Sequence, residues 1–164
     1  MRGKWASGIA PRNFAWVIKE KLAISERPGG YARNHRKVRR QEEIIWLREQ
    51  GFTRIVSLLP SNHNLYAYDE LRMSWTHLPF APTDDPRVVL KELYALIHDW
   101  MIAGERVLVH QEELGDRLMG AVGGYLLAAH LLDSGPQAIM VMERLTAKQM
   151  GPVGRELIAI AGEL

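Results

Sequence analysis

Apolar positions follow two rhythms along this chain. Arg54 to Leu59 and Arg106 to His110 are short continuous apolar runs, while longer stretches repeat their apolar residues every three or four positions. A continuous run fits a strand covered on both faces, and the longer period fits a helix with one buried side. From the amino terminus, Asn13 to Ile18 and Lys21 to Ile24 read as a hairpin or two successive strands around Lys19-Glu20. A helix follows from about residue 35 to 50, closed by Gly51 as a left-handed cap. After the strand at Arg54 to Leu59 come a short helix, Leu65 to Leu71, and a strand, Ser74 to Phe80. Asp85-Pro86 opens a helix that runs to Ala103, since Asp accepts from free amides and Pro fits the first turn. The Arg106 to His110 strand leads through a loop into a helix from Arg117 to Asp133. Two more helices, Pro136 to Lys148 and Pro152 to Ala161, finish the chain.

Strands alternating with helices predict an α/β fold with a central, mostly parallel sheet flanked by helices. Ligand crevices in such sheets lie at the carboxyl ends of the strands. The 164 residues suit a single domain, read as 13–164 behind a mobile segment, 1–12. With 47% hydrophobic and 24% charged residues and no apolar run of membrane-spanning length, the expectation is a cytoplasmic globular protein without a membrane span. There is no cysteine, which removes disulfides and thiolate metal sites, and the six histidines lack zinc-site spacing, so neither metal nor cofactor is expected. The net charge of +2 is too small to imply nucleic acid unless it is clustered.

The segment Arg106-Val-Leu-Val-His110-Gln111-Glu112-Glu113-Leu114-Gly115-Asp116-Arg117 places an apolar strand before His, a short loop and an Arg that opens a helix. It resembles the phosphate-binding loop of the cysteine-dependent dual-specificity phosphatases, whose pattern is His, Cys, any five residues, Arg. The resemblance extends to Asn13-Phe-Ala-Trp-Val-Ile18, Lys21-Leu-Ala, Arg27-Pro28, Ile55-Val-Ser-Leu, Tyr125-Leu126, Ala138-Ile139 and Arg144-Leu145, in order across residues 13 to 160. It implies the protein tyrosine phosphatase-like fold of the small atypical dual-specificity enzymes.

The chemistry is not carried over with the fold. The attacking position holds Gln111, whose amide nitrogen is delocalised into its carbonyl and is no nucleophile. Removing the nucleophile from a covalent enzyme lowers turnover by on the order of 10⁴ to 10⁶. The family's two loop glycines fall at Leu114 and Asp116, the hydroxyl residue after Arg is Leu118, and a following glycine is Met119. A later Arg-Pro-Gly reads Thr146-Ala-Lys148, and Arg155 stands near the position of a water-positioning Gln. The implied protein is a pseudophosphatase without catalytic residues.

Its candidate ligand site is His110 to Arg117. Arg117 would either grip a phosphate or carboxylate, or pair with Glu112, Glu113 or Asp116 and hold the loop. Gln111 and His110 read as structural, Gln111 by hydrogen-bonding the loop. Asp84 and Asp85 lie where the family carries its general acid, and with Pro86 they also make a helix cap. The densest charge is Arg33, Arg36, Lys37, Arg39 and Arg40, read as a basic helix face able to meet an acidic partner. Gly120, Gly123 and Gly124 are expected to pack against the sheet, and Trp16, Trp46, Trp75 and Trp100 to be core. The expected role is regulatory or scaffolding, toward a protein partner, phosphorylated or not, or a phosphorylated small molecule. Two alternatives stay open. One is a phosphoester hydrolase using Asp84, Asp85, Glu112 or Glu113 as base, which needs a metal or cationic clamp. The other is salt-sensitive nucleic-acid binding through 33–40, without a base-reading motif to support it.

Overall fold

The two continuous apolar runs form the middle of a five-stranded sheet in the computed structural model, which describes residues 8–29, 37–62 and 64–164. Its strands are β1 (Ala15–Ile18), β2 (Leu22–Glu26), β3 (Arg54–Ser57), β4 (Trp75–His77) and β5 (Val107–Gln111), in the spatial order β1-β2-β5-β3-β4. β1 is antiparallel to β2, with Glu20 in a left-handed conformation in the turn, and the other pairings are parallel. β5 is bonded on both sides and all five of its residues are buried. This is the expected α/β arrangement, a mostly parallel sheet with helices on both faces.

Alternation along the strands sorts the core into two layers. Ala23, Ile55 and Leu108 face α1 (Lys37–Glu49) and α2 (Tyr66–Glu70). Leu22, Ile24, Val56, Val107 and Val109 face α3 (Pro86–Ile102), α4 (Asp116–Ala128), α5 (Gly135–Thr146) and α6 (Pro152–Ala161). Trp16, Trp46, Trp75 and Trp100 are half-buried at the edges of these layers. Trp16 stacks on Phe52, and Trp100 lies 5.4 Å beneath the Arg54 guanidinium. No helix among the described residues is long and apolar enough to cross a membrane.

Several helix ends follow their sequence signals, and two depart from them: α5, expected to reach Lys148, stops at Thr146, where Ala147 takes φ +57°, and α4 falls shorter still. Asp85 Oδ1 accepts from the Arg87 amide at 3.0 Å ahead of Pro86, and Gly51 takes φ +88° beyond α1. α4 was expected to reach Asp133 but stops at Ala128. His130 adopts φ +59°, its amide donates to the Leu127 carbonyl, and the Leu131 amide donates to Leu126, which together close the helix in a Schellman motif without glycine. β4 is shorter than Ser74 to Phe80, yet the Leu78 and Phe80 amides still donate to the Ser57 and Leu58 carbonyls. The ladder loosens where the crevice opens. Of the amino-terminal segment, residues 1–7 lie outside the described residues. The Ile9 amide donates to the Glu42 carbonyl at 3.2 Å, and the Arg12 carbonyl accepts from Glu26 at 3.0 Å.

The glycines of α4 correct the sequence expectation. They do not face the sheet. A Cβ on Gly120 would lie 2.6 Å from the Gly154 backbone of α6, and one on Gly123 would lie 2.7 Å from Met142 of α5. Gly124 abuts Tyr94 of α3 and Ala161 of α6. The missing side chains let helix backbones touch, which sets α6 directly against the helix that leaves the candidate loop. Gly120→Ala should therefore lower stability by about 1–3 kcal/mol in urea unfolding, by overpacking. Gly115→Ala, whose Cβ meets nothing nearer than 3.9 Å, should stay within about 0.5 kcal/mol.

Candidate functional site

β5 brings His110 and Gln111 to the carboxyl edge of the sheet, and α4 begins at Asp116. Only residues 112–115 lie between them. His110 is enclosed: its Nε2 shares a 2.9 Å hydrogen bond with the Tyr68 hydroxyl. Burial, and then the positive charge of Arg27, push its pKa down to about 3. Tyr68 is fully buried too, and burial raises its pKa well above the ordinary phenol value. The pair is neutral at pH 7 and joins β5 to α2.

Gln111 is 9% exposed, and its Nε2 donates to the Phe80 carbonyl at 3.4 Å. The side chain at the would-be nucleophile position thus ties β5 to the segment after β4. The Gln111 backbone carbonyl accepts from the Arg27 amide at 2.8 Å. Arg27 in turn meets Glu112 at 3.4 Å. Behind it, the fully buried Glu43 accepts from the Gly29 amide and from Arg39 Nε. Burial raises the Glu43 pKa, and the bonds from Gly29 and Arg39 oppose that rise.

Other loop groups are tied down too, apart from the exposed Glu113 side chain. Leu114 is buried and its carbonyl accepts from Lys148 Nζ at 3.0 Å. The Gly115 amide donates to the Glu113 carbonyl at 3.0 Å. The Asp116 carboxylate accepts from the amides of Gly151 at 2.5 Å and Gly154 at 3.1 Å, capping α6 from the first residue of α4. None of residues 111–117 has positive φ, so the alternating right- and left-handed turn of an anion nest is not formed. Arg117 lies 4.9 Å over the Phe80 ring. It makes no ion pair with Glu112, Glu113 or Asp116, contrary to the internal pairing offered by the sequence. Two of those acids are taken by Arg27 and by α6.

A cleft of about 250 Å³ stands before this loop, between Pro60, Phe80 and Pro82 on one side and Gln111 to Leu118 on the other. Asp84 and Asp85 are exposed and do not line this cleft; Asp84 lines a neighbouring one. Asp84 accepts from the Ala81 amide at 2.7 Å, and Asp85 caps α3. The basic face divides. Arg33 and Arg36 lie outside the described residues, Lys37 is exposed, and Arg39 engages Glu43. Arg40 is not on the surface: it is 5% exposed and packs 5.7 Å over Tyr66. Among the described residues no group of three His, Asp or Glu comes together to hold a metal.

The sequence reading missed Arg27, Glu43, Tyr68, Phe80 and Lys148. Arg27 was legible in principle, because it follows β2, the parallel neighbour of β5, and so must sit at the same edge. Lys148 and Phe80 carry no such signal.

No protein-family model and no curated protein matches the chain. Solved structures do. Tk-PTP in its active form superposes with a TM-score of 0.74 at 17% identity, over 92% of this chain and 97% of that one. Kinase associated phosphatase, with serine replacing its catalytic-site cysteine, gives 0.74 at 18% identity over 89% and 90%. Human DUSP28 gives 0.70 at 16% over 95% and 97%. The fold is that of the dual-specificity phosphatases. With no cysteine anywhere in the chain, this example of the fold lacks the thiolate route to phosphoester cleavage.

The buried His110 gives a pH test. Unfolded, it binds a proton below about pH 6.5, whereas folded it does so only near pH 3. Its contribution is complete above pH 6.5 and is lost as pH falls toward 3. Between pH 7 and pH 5, urea unfolding of the wild type should lose about 2 kcal/mol more than that of His110→Asn. Glu43, raised by burial, acts in the opposite direction in both proteins and cancels in the comparison.

Proposed function

We propose that this chain is a pseudophosphatase, a regulatory or scaffolding module that binds a protein partner at the degenerate crevice and does not turn over phosphoesters. The observation that carries the reading is Gln111: a buried amide, bonded to the Phe80 carbonyl, occupies the end of the central strand while an open cleft remains in front of it. An enzyme must stabilise a transition state more strongly than its substrate, but a binder needs only the cleft.

The cleft's electrostatics argue against an oxyanion as the principal ligand. Each carboxylate about 5 Å from a bound phosphate costs about 3 kcal/mol per unit charge at an effective dielectric of 20. Glu113 stands at that loop with no ion pair among the described residues, and Arg117 rests on Phe80. The hydrolase alternative is weaker: Glu112 is held by Arg27, both aspartates are engaged by backbone amides, and the remaining base, Glu113, has no cation paired with it among the described residues to manage a phosphate's charge. The nucleic-acid alternative loses Arg40 to the interior.

The decisive test is p-nitrophenyl phosphate hydrolysis by the wild type and by Gln111→Cys, beside a cysteine phosphatase of the same fold. Neither should turn over measurably, with Gln111→Cys at least about 10³-fold below the reference enzyme, because Arg117 rests on Phe80, the Gly115 amide is bonded to the Glu113 carbonyl, and the loop carboxylates oppose a phosphate. Activity of Gln111→Cys within tenfold of the reference would mean the cradle is intact and the reading wrong.

A further inference from the structure

We infer that the crevice does not end at Arg117, and that it forms one groove with a second cleft over α6, shaped for an extended, unphosphorylated segment of a protein partner that carries Lys or Arg beside an apolar residue. The inference rests on the binding role proposed above and specifies its ligand. The second cleft, about 370 Å³, is lined by Asp84, Pro86, Val153, Glu156, Leu157 and Ile160. It shares Phe80, Pro82 and Arg117 with the cleft before the loop, so the two adjoin at the Arg117 side chain.

The occupant follows from the lining. Its floor is apolar: Phe80 and Leu157 are buried, and Val153 remains 42% exposed with no neighbour covering it. Exposed apolar surface inside a groove marks a place for a partner's side chain. The charge is one-sided. Five carboxylates line the joined groove against a single cation, Arg117. Arg27 balances Glu112, and the α6 amides hold Asp116. Glu113 and Glu156 have no ion pair among the described residues, and they lie in different clefts of the groove. That field attracts a cation at either end and repels phosphate. It also explains how Arg117 can be present without making the site a phosphate reader, because its guanidinium lies over the Phe80 ring.

Random nine-residue peptides displayed on phage would be selected against the full chain, and the enriched sequences measured as fluorescent peptides by polarisation. Enrichment in Lys or Arg with Leu, Ile, Val or Met, and depletion of Asp and Glu, is expected. Glu113→Gln and Glu156→Gln, made singly and together, should each weaken those peptides, about tenfold when combined, and flatten their salt dependence. Val153→Asp should weaken them by about tenfold or more, with unchanged melting temperature because the residue is exposed. Arg117→Gln should strengthen binding about two- to fivefold by removing a like charge, where a phosphate reader would lose binding. Loss on Arg117→Gln, preference for phosphotyrosine forms of the same peptides, or no enrichment at all would overturn the inference. So would self-association of the chain competing with the peptides, which would make a second copy the occupant. Binding that depends on Glu113 but not on Val153 or Glu156 would confine recognition to the loop cleft, overturning the groove while leaving the binding role standing.

Discussion

The pairing of β5 between β2 and β3 is the constraint from which the crevice follows. Its register sets Glu26 and Ser25 beside Gln111 and His110 on one side, and Ser57 beside His110 on the other. A slip by one residue would exchange Leu108 and Val109 between the two core layers, so the register is fixed by burial on both faces. The end of the strand is therefore fixed as well, and with it the position of the residue that opens the loop. In this chain the position is filled by an amide that makes a structural bond.

What surrounds that amide is a set of attachments. Arg27 holds Glu112, Lys148 holds the Leu114 carbonyl, and Asp116 reaches α6. Each hydrogen bond is worth only about 1 kcal/mol net, but together they join the loop to β2, to the segment after α5 and to α6. Direct contact of the Gly120 and Gly154 backbones brings α6 close enough for Asp116 to cap it. The same contact places Val153 and Glu156 in one cleft with Arg117, which is how a helix outside the loop comes to line the proposed ligand surface. Held groups of this kind make the surface preformed, which lowers the cost of ordering it when a partner binds.

The fold was largely legible because its signals are local. Continuous apolar runs mark the central strands, Asp85-Pro86 and Gly51 punctuate helices, and α6 begins and ends where its sequence says. The site was legible only in position. That His110 to Arg117 lie at the crevice follows from topology, but where their side chains go depends on residues far along the chain. Asp116 finds amides 35 and 38 positions away, Arg117 finds an aromatic ring after β4, and Arg40 turns inward despite sitting in the most basic stretch of the sequence. The glycines of α4 misled for the same reason: a small residue announces close approach, but not which backbone approaches. The end of α4 was missed because His130 takes a conformation that sequence assigns first to glycine.

The most direct test of the central claim is a crystal structure of the protein soaked in tungstate, a phosphate mimic that scatters strongly. The account predicts no anion at the amides of residues 112–117, with Gln111 still on the Phe80 carbonyl and Arg117 still on the Phe80 ring. Tungstate seated on those amides, with Arg117 swung off Phe80 to meet it, would show that the phosphate cradle survives and would contradict the account.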